Sequence, residues 1–137
     1  MSEELTPYAR SLGITTDRQE DGAPVLKVDF GSNVEGRPQH LHGGATSGLL
    51  ETAGYAALRA ELARQGRSHQ LKPINITVQF LAAGKSKVTF AKGNIFRLGR
   101  RNANVEVLAW QEADDGEGRE RPIASAIMNI LMADPEN

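Results

Sequence analysis

The chain has 137 residues, the length of one ordinary domain and too few for two. Apolar residues make up 39% and charged residues 24%, which excludes a disordered chain, and aromatics at only 5% point to an aliphatic core. A formal net charge of −1 argues against broad nucleic-acid binding, and the absence of Cys excludes disulfides, thiolate catalysis and Cys-ligated zinc.

The opening Met1-Ser2-Glu3-Glu4 is acidic and no apolar run follows it. Neither a signal peptide nor a membrane span is expected, and the expected compartment is the cytoplasm. Thr6-Pro7 opens a short helix, with Thr as cap and Pro at the first helical position. Leu5, Ala9 and Leu12 share its apolar face, and Gly13 is its natural stop. Residues 24–30 alternate, with Leu26, Val28 and Phe30 set against Val25, Lys27 and Asp29, as in a half-buried strand. Residues 31–44 are loop-like, containing Asn33 and Pro38 and ending on Gly43-Gly44.

From Ala45 to about Arg64 no proline interrupts. Ala45, Leu49, Ala53, Ala56, Ala57 and Ala60 form a narrow stripe of mostly small side chains at helical spacing. Such a stripe suits a helix lying very close to a sheet. After Gly66 the period becomes two: Ile74, Ile76, Val78 and Phe80 alternate with Asn75, Thr77 and Gln79. Further strands are predicted over residues 87–98, 102–111 and 123–132, with a turn at 113–118 and a fraying tail over 134–137.

No repeat or linker divides residues 1–137, so a single domain is expected. Consecutive strands on short connections imply antiparallel pairing, and one long helix with such a sheet gives an α+β architecture. No second long helix exists to cover the sheet. The sheet must therefore take the one helix as its core and curl around it.

Chemistry concentrates where loop becomes helix, at His42-Gly43-Gly44. Backbone amides there lack intrahelical partners and sit at the positive end of the helix dipole. Glycine adds no side chain, so a substrate carbonyl can approach closely, as an oxyanion hole requires. Glu51, nine positions after His42, lies about two turns into the helix and points away from the Ala53/Ala57 stripe. Ser47, Tyr55 and Leu58 share its face. A Gly-Gly pair before a helix also serves as a plain turn, and a helical Glu is ordinarily solvated, so neither feature alone separates catalysis from structure. His40 and His42 form a His-x-His pair, but a metal needs more ligands than His69 and scattered acids offer, and no metal is expected. His42 is expected to bond the loop and fix the Gly-Gly turn. Ser47 lacks the Gly-x-Ser-x-Gly setting of a nucleophile.

Taken in order, His42-Gly43-Gly44 with Glu51, then Ile74-Asn75-Ile76-Thr77-Val78-Gln79-Phe80-Leu81, then Gly99-Arg100-Arg101 between two strands, the sequence resembles the hotdog-fold acyl-CoA thioesterases of the phenylacetate-pathway and 4-hydroxybenzoyl-CoA type. The resemblance covers nearly all of the chain after the first helix. It implies a hotdog fold, an antiparallel β-sheet wrapped around a long central helix. It also implies an acyl-CoA substrate, whose hydrolysis needs no metal or redox cofactor; from charge and hydropathy, no nucleic-acid or membrane partner is expected. Homodimers, often paired into tetramers, would build each active site across a subunit boundary.

By position, the Gly43 amide, with Gly44 beside it in the turn begun by His42, would polarise the thioester carbonyl. Glu51 would be the general base or the nucleophile. Tyr55 would help shape the acyl pocket, while Arg100 and Arg101 would meet CoA phosphates or form an ordinary solvated hairpin. One departure stands out: the family usually places Asn or Gln shortly before His-Gly-Gly, and neither Asn33 nor Gln39 sits at the expected place. Asn75 is the first candidate for a polar group supplied by the partner subunit. Two rival readings are a hotdog enoyl-CoA hydratase, which uses a His in a Pro-Gly loop that this chain lacks, and a non-catalytic acyl-CoA-binding module. Glu51 separates the second from an enzyme, since a pure binder has little use for a carboxylate there.

Overall fold

Thr6 and Pro7 open the first helix, α1 (Pro7–Ser11), where Thr6 Oγ1 accepts a hydrogen bond from the Ala9 N–H at 3.1 Å. A computed structural model describes residues 5–113 and 121–135. The predicted turn at 113–118 and the end of the tail lie largely outside them. Next come β1 (Ile14–Glu20) and β2 (Ala23–Val28), joined by Asp21 and Gly22, which both take positive φ, 52° and 82°. That pair of left-handed residues suits a two-residue hairpin whose twist matches its strands. The sequence pattern predicts no strand over β1, because Ile14 is its one buried residue and Thr15 to Gln19 are all exposed. Its polar composition hides its alternation.

The long helix α2 (Gly43–Arg64) starts two residues earlier than predicted and is followed by β3 (Gln70–Phe80), β4 (Thr89–Leu98), β5 (Asn102–Gln111) and β6 (Arg121–Ala133). All neighbours in the six-stranded sheet are antiparallel, in the order β1-β2-β4-β5-β6-β3. Chain order predicts that β3 pairs with β4, and it does not. The flanks of β4 are taken by β2 and β5, so β3 pairs with β6 at the far edge and residues 81–88 cross back to β4.

The sheet curls around α2, which packs on β2, β4, β5 and β6. Leu49, Leu50 and Leu58 are fully buried with Val105, Val107, Met128, Ile130 and Met132. Each such side chain contributes roughly 1.5–3 kcal/mol of transfer free energy. Helix and sheet meet at their backbones. A Cβ added at Gly93 of β4 would lie 2.9 Å from Ala57 Cβ, 3.0 Å from the Ala53 carbonyl oxygen and 3.1 Å from Gly54 Cα. The stripe of small residues is what permits that approach. β3 extends beyond the shelter of α2, leaving Ile74, Ile76 and Phe80 exposed.

Gly93→Ala should therefore force α2 off the sheet, since two of the three nearest atoms belong to the α2 backbone and cannot swing aside. The expected cost is about 1–3 kcal/mol, the usual range for overpacking. Urea unfolding would show it as a lower midpoint with an unchanged slope.

Candidate active site

The approach to α2 is a small folded loop. The Glu35–Leu41 bridge closes it, the His42 N–H donates to the Val34 carbonyl at 2.8 Å, and the Leu41 N–H donates to the Gly84 carbonyl at 2.9 Å. That last bond ties the loop to the β3–β4 crossover. Gln111 pins the crossover from within: its amide accepts from the Lys85 N–H at 3.1 Å and donates to the Lys85 carbonyl and Thr89 Oγ1, both at 3.0 Å. It is fully buried, and its hydrogen bonds account for a polar group in the core.

His42 is the N-cap of α2, with extended φ −70° and ψ 137°. Its ring Nδ1 accepts from the Gly44 N–H at 2.8 Å, which requires a neutral ring with its proton on Nε2. The two glycines thus divide the work. A Cβ on Gly44 would lie 3.0 Å from His42 Nδ1, so this glycine permits the cap. The Gly43 N–H has no hydrogen-bond partner among the described residues. It remains a donor at the positive end of a 22-residue helix. Gly43 lines a cavity of about 460 Å³ together with Thr46, Leu41, Phe80, Leu81 and Ile123. A Cβ added at Gly43 would meet the Phe80 ring at 3.4 Å.

Glu51 lies two turns along α2, half-buried, in a second cavity of about 330 Å³ shared with Thr6, Tyr8, Thr52, Tyr55 and Arg59. The wall of this cavity is α1, seated against Gly48, where an added Cβ would lie 2.9 Å from Leu12 Cδ1. Burial pushes the Tyr55 phenol above its ordinary value, the Glu51 charge pushes it further, and the Arg59 guanidinium pulls the other way. Tyr55 is therefore protonated at neutral pH and can donate a hydrogen bond. Arg59 also stands over the Tyr55 ring, 6.0 Å from its centroid. Gly43 and Glu51 share one helix but line different cavities.

Residues 38–117, more than half of the chain, match the family model of the Thioesterase superfamily. The chain belongs to the thioesterase superfamily. Similar solved structures include a thioesterase family protein of Silicibacter pomeroyi, at 20% identity over 95% of this chain and 91% of that one, with a TM-score of 0.78. S. sahachiroi AziG matches at 16% identity over 96% and 100%, with a TM-score of 0.79. The E. coli PaaI protein from the phenylacetic acid degradation operon matches at 16% over 93% and 84%, with a TM-score of 0.74. At these identities the likeness shows the fold, an antiparallel hotdog sheet around one long helix. No curated protein matches the sequence. Family membership supports thioesterase activity in general.

The other predicted site residues of this superfamily member are dispersed. Asn33 donates from Nδ2 to the Leu12 carbonyl at 3.0 Å and fastens the loop to the end of α1. Gln39 is an exposed residue of the loop at φ +66°. Asn75 pairs with Asn129, next to the inward-facing Met128, so its side chain lies on the face of the sheet turned away from α2. Arg100 and Arg101 are exposed at the β4–β5 turn, which Arg67 steadies by donating to the Gly99 and Arg100 carbonyls at 3.0 and 3.3 Å. Arg67 follows the C-terminus of α2, so this turn lies at the opposite end of the helix from Gly43. Among the described residues no group of three or more His, Asp or Glu side chains is placed to hold a metal, and no helix is long and apolar enough to cross a membrane. Sequence reading missed Phe80, Tyr8 and Gln111. Phe80 alone carried a signal, as the last residue on the apolar side of an alternating strand.

Tyr8→Phe leaves Tyr55 as the only tyrosine of the two. Its ultraviolet titration should then fall above the ordinary phenol range. Adding Glu51→Gln should bring it back toward that range, because the carboxylate charge is one of the causes holding it up. No movement would mean that the two side chains do not face the same space.

Proposed function

We propose that this protein hydrolyses acyl-CoA thioesters to a carboxylic acid and free CoA, in the cytoplasm, as a homodimer or a dimer of dimers. The observation that carries the reading is the Gly43 N–H, unpartnered among the described residues at the start of α2 beside the His42 cap, with Glu51 lining a cavity farther along the same helix.

A thioester carbonyl is electrophilic and thiolate is a good leaving group, so hydrolysis needs an oxyanion donor, a base or nucleophile, and positioning. The carbonyl oxygen accepts from the Gly43 N–H, which gains strength as negative charge develops on that oxygen. Glu51 then acts in one of two ways. It takes a proton from water as the water oxygen bonds to the carbonyl carbon, or its own oxygen forms that bond and gives an anhydride that water later cleaves. In either case the carbon–sulfur bond breaks and the electron pair leaves with CoA. Tyr55, protonated beside Glu51, can donate to the carboxylate or to the substrate.

Gly44 serves this chemistry through His42, and its own amide is engaged by the cap. Gly43 and Glu51 open into separate cavities in one chain, which supports a site completed by a second subunit. Arg100 and Arg101 lie in a turn fastened by Arg67 beyond the C-terminus of α2, a helix about 33 Å long at 1.5 Å per residue, while Gly43 is at its start. They suit the site of a partner whose helix runs the other way, where guanidinium groups would meet CoA phosphates.

The test is thiol release from short, medium, long and aromatic acyl-CoAs, run beside Glu51→Gln. The native protein should turn over at least one class, and Glu51→Gln should lower kcat by about 10²–10⁴-fold, the usual worth of a general base. Tight acyl-CoA binding without thiol release would identify a binding module instead. Full activity in Glu51→Gln would remove Glu51 from the mechanism.

A further inference from the structure

We infer that the acyl group released by this protein ends in a second carboxylate, taken by Arg59 and Arg67 where two cavities meet along the flank of α2. The inference rests on the proposed hydrolysis with Glu51 at the reacting carbon, and it names the class of acyl group.

The cavity that holds Glu51 does not end the open flank of α2. Tyr55, Arg59 and Leu62 follow Glu51 at steps of four, four and three residues, so they continue along one side of the helix. Arg59 lines the Glu51 cavity and also a further cavity of about 410 Å³, whose walls include Leu62, Arg67, Ser68, His69 and Leu71.

The two cavities differ in charge. Glu51 brings a carboxylate to the first. The second is lined by two half-buried arginines and a histidine, and by no Asp or Glu. The chain turns back there: Gly66 takes a left-handed φ of 66°, and the Arg67 N–H donates to the Leu62 carbonyl at 2.9 Å. Arg67 is thereby set beside the last turns of α2. Its side chain donates to the Gln65 side-chain oxygen and to the Gly99 and Arg100 carbonyls, all neutral acceptors. Across the cavity Arg59 stands over the Tyr55 ring. An anionic group entering this space meets guanidinium forks and no like charge on its walls.

Length then selects the anion. The eight residues from Glu51 to Arg59 span about 12 Å at 1.5 Å per residue. Contact with the reacting carbon at one end and a charged hydrogen bond at the other each take about 3 Å. The remaining stretch of roughly 6 Å fits about five bonds at the ~1.2 Å per bond of an extended chain. That is the chain of an adipyl group, with one carbonyl at Glu51 and the far carboxylate at Arg59, and slightly longer chains reach Arg67. Tyr8 and Tyr55 line the same cavity and give the methylene groups aromatic surface to cover. A much shorter diacid would leave its carboxylate beside Glu51, where like charges repel.

The test compares thiol release from adipyl-CoA and from its methyl ester, which keeps the chain and removes the charge. The native protein should favour adipyl-CoA by about tenfold or more in kcat/KM, the worth of a charge-assisted hydrogen bond. For succinyl-CoA the order should reverse, with its methyl ester the better substrate. Arg59→Gln and Arg67→Gln should each lower the adipyl preference, and the double variant should abolish it. Equal kcat/KM for adipyl-CoA and its ester in the native protein overturns the inference and leaves the hydrolysis standing. So does a rise in KM shared by both substrates in the two variants, which would assign the cavity to a CoA phosphate. No thiol release from any acyl-CoA overturns the proposed hydrolysis and this inference with it.

Discussion

Everything about the site depends on how closely α2 lies on the sheet. Gly93, Gly54, Ala53 and Ala57 let helix and strand touch through backbone atoms with almost no side chain between them. A single helix can then fill a curled sheet that has no second layer to cover it. The same contact fixes the helix along its axis, because Gly93 admits the Ala53 carbonyl and the Gly54 Cα and little else. The start of the helix, where free amides collect, is thereby held in one place relative to the sheet.

The cap engages one of those amides, the Gly44 N–H. The sequence pattern suggested two donors, Gly43 and Gly44, but a helix start must satisfy its amides, and the nearest side-chain acceptor is the His42 ring. Capping by His42 uses the Gly44 N–H, while the Gly43 N–H has no partner among the described residues and Gly43 lines the cavity. The loop that carries His42 is held in turn by the Leu41–Gly84 bond, and that crossover is held by Gln111. A buried amide at the end of β5 thus stabilises a turn at the start of α2, a dependence that no local sequence pattern could reveal.

What was legible in the chain followed from local chemistry. The Thr-Pro helix start, the stripe of small residues, the alternation of residues 74–80 and the placement of His42-Gly43-Gly44 each have a short-range physical signature, and each occurs where that signature lies. Long-range facts were not legible. β1 escaped because an exposed edge strand needs no apolar alternation. The pairing of β3 with β6 escaped because strand order is decided by which flanks are already taken, not by chain proximity. Nor do local patterns show that Asn33 fastens the loop to the end of α1 or that Asn75 joins an amide row on the outer face of the sheet.

The length of α2 adds a constraint on how one substrate could touch all of the predicted residues. The basic turn at Arg100 and Arg101 is fastened by Arg67 just beyond the C-terminus of α2, while Gly43 is its first residue. One acyl-CoA bound to one chain would have to follow the full helix to reach both. The 22 residues of α2 thus separate the Gly43 turn from the basic turn by about the helix's own length, some 33 Å at 1.5 Å per residue.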